Sequence, residues 1–300
     1  MGVLETLVVP LVLGTFRASI PLIMCAVAEI LNEKAGLVNI GIEGVMLFGA
    51  FMAVYGSWLT GDPMVGLALA ALVGLAWGVV FALVSIHLRG DQIVAGVGIN
   101  MFAIGFTEMM IPLVWGTYGY SESVRRLPPL YVTPGGERVS WFLPASLALA
   151  VLAYLVMYRT RWGLYLRGCG ENPIAIDAAG VSVYRVRYAA STVSSLIFAL
   201  AGAYMGIDWN NAFVKEMTGG RGFISLALVI FSNWNPLMAL VGGMIFGFFD
   251  ILQFRIGGAL GVGIPPQVPQ MVPYVATVLV LLLVGRVRPP AAAGKPFVKE

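Results

Sequence analysis

Four polar side chains stand inside otherwise apolar stretches of this 300-residue sequence: Asn39, Glu43, Asn100 and Glu108. Asn39 and Glu43 are spaced i, i+4 and are expected to share a helix face flanked by Gly36, Gly41 and Gly44. Asn100 and Glu108 lie eight apart, about two helical turns, and are expected on one side of a second helix. Amides and carboxylates so placed can hydrogen-bond a neutral polar solute or carry a proton. They can equally hold helices together, since interhelical polar contacts average under about 1 kcal/mol. An acid in apolar surroundings is costly and is expected to face a cavity or a partner. Covalent and metal chemistry find no footing: His87 is the single histidine, and Cys25 and Cys169 lie far apart. The phosphate-binding loop Gly-x-x-x-x-Gly-Lys-Ser/Thr is absent, because Gly294-Lys295 is followed by Pro296. Ser-x-x-Lys, His-Glu-x-x-His and Gly-x-Ser-x-Gly are absent too. No catalytic residue, metal or bound cofactor is expected in this chain.

The surroundings of these residues are those of a bilayer. The chain is 59% hydrophobic and 11% charged, with a mean hydropathy of +0.89, against roughly 25% charged residues in soluble domains. Its 18 Lys+Arg are too sparse for a nucleic-acid footprint. The expected fold class is therefore an all-α integral membrane protein, with membrane lipid as its surroundings and no nucleic-acid partner. The first basic residue is Arg17, so the N-terminal apolar segment is expected to remain in the mature chain rather than be cleaved. Arg17 itself reads as an interfacial residue snorkelling outward from the first span.

A crossing helix needs about 20 apolar residues. Candidate spans cover residues 8–31, 37–59, 64–86, 93–115, 141–158, 188–206, 237–254 and 268–285, and a half-length apolar piece covers 223–231. The basic segment 159–187 and the basic tail 286–300 are both expected in the cytoplasm. Alternation places 32–36 and 87–92 inside with them, and the N-terminus and the loop 116–140 outside. Eleven of the 18 Lys+Arg then lie inside. The tail reaches the inside only if 223–231 also crosses, continued by irregular backbone over 218–222. Such backbone is tolerated at membrane depth where it is buried in protein or lines a cavity. The expectation is a polytopic bundle of about eight to nine transmembrane helices forming one domain over residues 1–300. Loop 232–236 is placed inside and 255–266 outside.

Asp62-Pro63-Met64-Val65-Gly66-Leu67 and Asn235-Pro236-Leu237-Met238-Ala239-Leu240 look alike, and each opens a small-residue helix after a glycine-rich interrupted segment. The topology puts the two prolines on opposite faces, the pattern of an inverted repeat with broken helices, which in transporters places the solute path at the repeat interface. On the cytoplasmic side, Asn172 before Pro173 reads as an N-cap with proline at the first helical position, and Gly180 as the C-terminal stop. One short helix of about two turns results. A helix that short is marginal alone, so it is expected to dock onto its own membrane domain or onto a cytoplasmic partner.

Together the motifs Glu33-Lys34-Ala35-Gly36-Leu37-Val38-Asn39-Ile40-Gly41-Ile42-Glu43-Gly44, Gly168-Cys169-Gly170-Glu171-Asn172-Pro173 with Ala179-Gly180, and Gly220-Arg221-Gly222-Phe223-Ile224 followed by Asn235-Pro236 resemble one family. It is the permease subunits of bacterial ABC importers of the branched-chain amino acid/ribose/simple-sugar type, and within it the shorter permease of nucleoside importers. The likeness covers residues 20–285. It implies a second homologous permease, cytoplasmic ABC ATPase subunits that use ATP, and an extracytoplasmic solute-binding lipoprotein, all at the bacterial inner membrane with the C-terminus cytoplasmic. It also implies that Gly170, Glu171, Asn172, Pro173, Ala179 and Gly180 belong to the helix that couples to the ATPase. Simple-sugar and riboflavin permeases are similar in these stretches. Two other classes stay open on the residues alone: an ion-coupled secondary transporter with Glu43 or Glu108 as proton carrier, and a non-transporting membrane scaffold.

Overall fold

The computed structural model describes residues 9–133, 136–259, 271–283 and 287–298. Eleven helices carry the described chain: α1 (Val9–Lys34), α2 (Ile42–Thr60), α3 (Pro63–Ala82), α4 (Gln92–Trp115), α5 (Phe142–Arg159), α6 (Arg161–Glu171), α7 (Pro173–Ala178), α8 (Val183–Ala203), α9 (Arg221–Phe231), α10 (Pro236–Ala259) and α11 (Val272–Leu283). π-helical turns prolong α3 over Leu83–His87 and α8 over Tyr204–Asn210. A two-stranded hairpin, Tyr131–Val132 against Arg138–Val139, sits in the loop before α5.

The helices start where the sequence places caps. Asp62 accepts a hydrogen bond from Met64 N at 2.8 Å with Pro63 at the first helical position, and Asn235 does the same for Leu237 N at 3.0 Å before Pro236. Asp91 caps α4 by accepting from Ile93 N and Val94 N.

Among the described residues, seven helices are long and apolar enough to cross a membrane: α1 to α5, α8 and α10. At 1.5 Å per residue, the 11 residues of α9 extend about 16 Å, half of a bilayer core. Contacts between the ends fix the direction of each helix. Trp234, after α9, donates to Glu33 near the end of α1. Arg288 N donates to Asn233 Oδ1, and Gly294 N to Gly36 O. One face, hereafter the basic face, thus gathers the α1–α2 turn, α6–α7, the α9–α10 turn and the tail residues 287–298. Arg17, the 131–139 hairpin and the end of α8 meet on the opposite face, where Arg17 pairs with Glu137 at 3.6 Å and Tyr204 Oη donates to Arg17 O. The half-length α9 traverses in the direction that brings the chain back to the basic face, as the sequence requires. Residues 1–8, much of the 255–266 loop, 268–270, 284–286 and 299–300 lie outside the described residues.

The packing shows the exchanged pairing that the expected inverted repeat requires. α3 packs along α8 as α10 packs along α1, the exchanged pairing that a two-fold relation between α1–α4 and α8–α11 produces. Small residues sit at matching places: a Cβ on Gly74 of α3 would stand 2.8 Å from Ser195 O of α8, and one on Gly247 of α10 would stand 2.8 Å from Ser19 N of α1. At the closest crossing, α2 over α8, a Cβ on Gly202 would collide with the Met46 carbonyl. Small residues let backbones approach where lipid supplies no hydrophobic drive.

Candidate functional site

The broken helices α2 and α9 present their N-termini to one another, and neither is capped by the residue that precedes it. Gly41 and Gly220 occupy those positions and offer no side chain. The orphan amides are met by neighbouring helices instead. Asn100 of α4 accepts from Gly44 N at 2.7 Å and donates its Nδ2 to Ile40 O at 3.0 Å. Glu43, in the first turn of α2, accepts from Gly220 N through Oε1 and from Gly222 N through Oε2, both at 2.7 Å. Glycine at 220 is favoured by its backbone, whose φ is +79°. A carboxylate between two helix N-termini sits where both macrodipoles favour it. Glu43 therefore joins the N-termini of α2 and α9 through its two carboxyl oxygens.

Arg221 and Asp250 complete this junction. Arg221 Nε and Nη2 reach Asp250 Oδ2 at 3.1 and 2.8 Å, and Gln253 Nε2 donates to Asp250 Oδ1 at 2.7 Å. Both members are largely buried, with side-chain exposures of 12% and 5%. The Arg221 guanidinium stands 5.1 Å from the Trp209 ring centroid. A cavity of about 530 Å³ opens beside the junction, walled by Glu43, Asn100, Arg221, Asp250, Gln253 and Tyr274 among others. A second, of about 740 Å³, lies toward the opposite face against Arg17, Glu137, Trp209, Met217 and Arg221. Both volumes fall in the range of about 300–1,000 Å³ typical of small-molecule sites.

The structure brings Glu43 and Asn100 together and separates the other two expected residues from them. Asn39 and Glu43 do not share a helix face: residues 35–41 form a turn, α2 begins at Ile42, and the glycines that favour close packing also stop the helix of α1 from continuing. Asn39 is fully buried, accepting from Gly41 N and donating its own backbone N–H to Glu29 Oε1 at 2.8 Å. Glu108 lies nearer the opposite face and pairs with Lys215 at 2.8 Å, away from the first cavity.

The sequence reading passes over Asp250, Trp209, Glu29, Glu33 and Arg187. Glu29 and Asp250 lie within expected spans and carry the same signal that singles out Glu43, whereas Glu33, Arg187 and Trp209 fall outside the expected spans. Arg187 is 1% exposed and donates to Ala35 O and Lys295 O. It thereby ties the start of α8 to the α1–α2 turn and the tail.

On the basic face the capped helix is present, with one addition. α6 precedes it as a separate amphipathic helix, started by Thr160, which accepts from Gly163 N at 3.1 Å. α7 follows, its first turn capped by Asn172 Oδ1 accepting from Ala175 N at 3.1 Å, with Pro173 at the first position. Gly180 stops it at φ +81°. No residue of α7 is buried, and Ile174 is 64% exposed. Gly170 and Glu171 instead hold the tail, Gly170 O accepting from Ala292 N and Glu171 Oε2 from Ala291 N. Cys169 is packed beneath them, and burial pushes its thiol up to about 11. Among the described residues, no group of three or more His, Cys, Asp or Glu is placed to hold a metal ion.

Residues 11–283 match the family described as branched-chain amino acid transport system / permease component. The chain belongs to this family. The permease is 34% identical to a guanosine ABC transporter permease of Bacillus subtilis, with 95% of each chain covered. It is 33% identical to a nucleoside ABC transporter permease of Lactococcus lactis, with 100% of each covered. A putative glucose ABC transporter permease of Haloferax volcanii is 31% identical, over 85% of this chain and 80% of its own. No solved structure matches it. Its function class is that of an ABC importer permease, a multi-pass membrane protein.

Proposed function

We propose that this permease carries nucleosides across a bacterial cytoplasmic membrane, with its basic face and C-terminus in the cytoplasm. It pairs with a second homologous permease, an extracytoplasmic lipoprotein delivers the solute, and ATPase subunits beneath hydrolyse ATP, which this chain does not bind. The observation that carries the reading is α7, a capped helix on the basic face with none of its residues buried. A two-turn helix has no stability of its own to justify such exposure, and Ile174 at its tip is an apolar anchor waiting for a groove. Full-length likeness to guanosine and nucleoside permeases supports the solute class. The Haloferax relative favours a simple sugar as the second reading.

The geometry argues against an ion-driven carrier. Glu43 is held by two backbone amides and Glu108 by Lys215, so neither carboxylate is placed as a free proton carrier. The solute path of this reading runs past the Glu43–Asn100 junction, with Asn39 bracing the turn behind it.

The test is guanosine uptake by cells carrying the complete transporter, with wild-type permease or Ile174→Asp, together with copurification of the ATPase. The expected result is ATP-dependent uptake in wild type, and loss of both uptake and ATPase in the variant while the permease itself stays folded. Uptake that survives ATP depletion but collapses with the proton gradient overturns the importer reading. Uptake of glucose or ribose without guanosine overturns the solute.

A further inference from the structure

The two cavities meet at one side chain. Among the described residues, Arg221 alone lines both. It is not free to swing. Two of its nitrogens are held by Asp250, and Nη1 donates to Thr218 O at 3.3 Å. Its backbone follows Gly219 and Gly220, both in the left-handed region, and Glu43 fixes Gly220 and Gly222 on either side of it. The guanidinium is thus presented edge-on to Asp250 with Trp209 stacked 5.1 Å from it, and Trp209 walls the second cavity. The other polar groups at the junction are engaged within the protein: Glu43 and Asn100 on backbone amides, Asp250 and Gln253 with each other and Arg221, and Tyr274 on the Gly219 carbonyl. The guanidinium covers one face of the indole, and what this stacked pair leaves for a solute is the planar surface it turns toward the second cavity, which both residues line.

We propose that Trp209 and Arg221 form a stacking site for the base of a nucleoside in transit, and that this site sets the permease's preference among bases. The inference rests on the nucleoside reading above and deepens it. Planar guanidinium and indole faces receive any base, because every base has a π-face, and the contact grows with ring area. Stacking carries no demand on hydrogen-bond geometry, so it holds a purine more strongly than a pyrimidine without trapping either. The Asp250 carboxylate neutralises the charge, which keeps the site open to uncharged solutes.

The experiment measures initial uptake rates of guanosine and uridine in cells carrying the complete transporter, and reads their ratio. The binding protein is common to all strains, so its own preference cancels when variants are compared with wild type. Trp209→Ala is expected to lower the guanosine:uridine ratio at least about threefold from the wild-type value, and Trp209→Phe to lower it by less. Arg221→Lys keeps the charge facing Asp250 but removes the planar face, and is expected to lower the ratio as Trp209→Ala does. A merely structural role slows both nucleosides together and leaves the ratio unchanged; that outcome in Trp209→Ala and Arg221→Lys overturns the proposal. If Trp209→Ala fails to accumulate in the membrane, Trp209→Phe and Arg221→Lys decide it by the same ratio. A wild type that takes up neither nucleoside overturns the nucleoside reading and this site with it, whereas normal uptake with an invariant ratio overturns the site alone.

Discussion

Replacing Glu43 tests whether α9 is held in place by a carboxylate from another helix. Glu43→Ala removes both acceptors of the Gly220 and Gly222 amides and offers nothing in return. Hydrogen bonds to a charged group are worth about 1.5–3 kcal/mol each; Glu43 is only half-buried, so the lower bound applies and the pair amounts to roughly 3 kcal/mol. Glu43→Gln keeps one carbonyl oxygen but turns an amide donor toward the second N–H, and should lose about half of that or somewhat more. Both cysteines are buried, so a thiol-reactive fluorophore in mild detergent reports unfolding during a thermal ramp. At about 2–4 °C per kcal/mol for a chain of a few hundred residues, Glu43→Ala should melt about 6–12 °C below wild type and Glu43→Gln between the two. A Glu43→Ala shift below about 2 °C would show that the α9 N-terminus needs no cap from α2 and would refute the argument. A Glu43→Gln variant as unstable as Glu43→Ala would instead show that the carboxylate's charge, rather than its oxygens, does the holding.

Other consequences are open to the same methods. Gly202→Ala places a Cβ against the Met46 carbonyl at the α2–α8 crossing; it should cost about 1–3 kcal/mol or more and lower the yield of monodisperse permease on gel filtration. Arg187→Ala leaves the carbonyls of Ala35 and Lys295 without their donor, so the tail should loosen and chymotrypsin should cut after the buried Phe297 at rates well above wild type. Cys169, its thiol raised to about 11 by burial, is neutral across the physiological range. Maleimide labelling of the folded permease at this position should stay low to pH 9 and rise only as pH approaches the raised value, whereas the unfolded chain labels readily from about pH 8.

How far the sequence foretells this structure depends on whether the signal is local. The caps at Asp62, Asn172 and Asn235 are legible because side chain, proline and helix lie within three residues of one another. The need for α9 to cross is legible as well, because the basic residues of the tail must share a face with those of 159–187. The i, i+4 expectation for Asn39 and Glu43 fails for a physical reason: the turn at 35–41 is held by Glu29, Gln92 and Arg187, which are 10 residues or more away. Glycine density announces a break there without saying which side of Asn39 it falls on. The roles of Glu43 and Asn100 could not be read locally at all, since their acceptors serve amides 177 and 56 residues away. Asp250 and Glu29 were within reach, each an ionisable residue inside an apolar run that the intramembrane rule flags as surely as Glu43.

The same bonds that hold the junction also connect it to the basic face. α7 is anchored to α6 where Ile176 lies over Gly168, and a Cβ on Gly170 would strike the Lys34 carbonyl at the end of α1. Gly170 O and Gly36 O accept from tail residues Ala292 and Gly294, and Arg187 closes the ring onto Ala35. From there the turn passes through Asn39 and Gly41 to the first turn of α2, and through Glu43 to the N-terminus of α9. Nearly every step is a backbone group held by one hydrogen bond or one close glycine contact, with few long side chains to absorb a displacement. Force applied at α7 therefore has a contiguous route to Arg221, the residue shared by the two cavities. Tightness along that route, rather than affinity at its end, is what a carrier of weakly held neutral solutes requires: the solute must be released on every cycle, so the polar groups of the membrane are spent on the machine and not on the cargo.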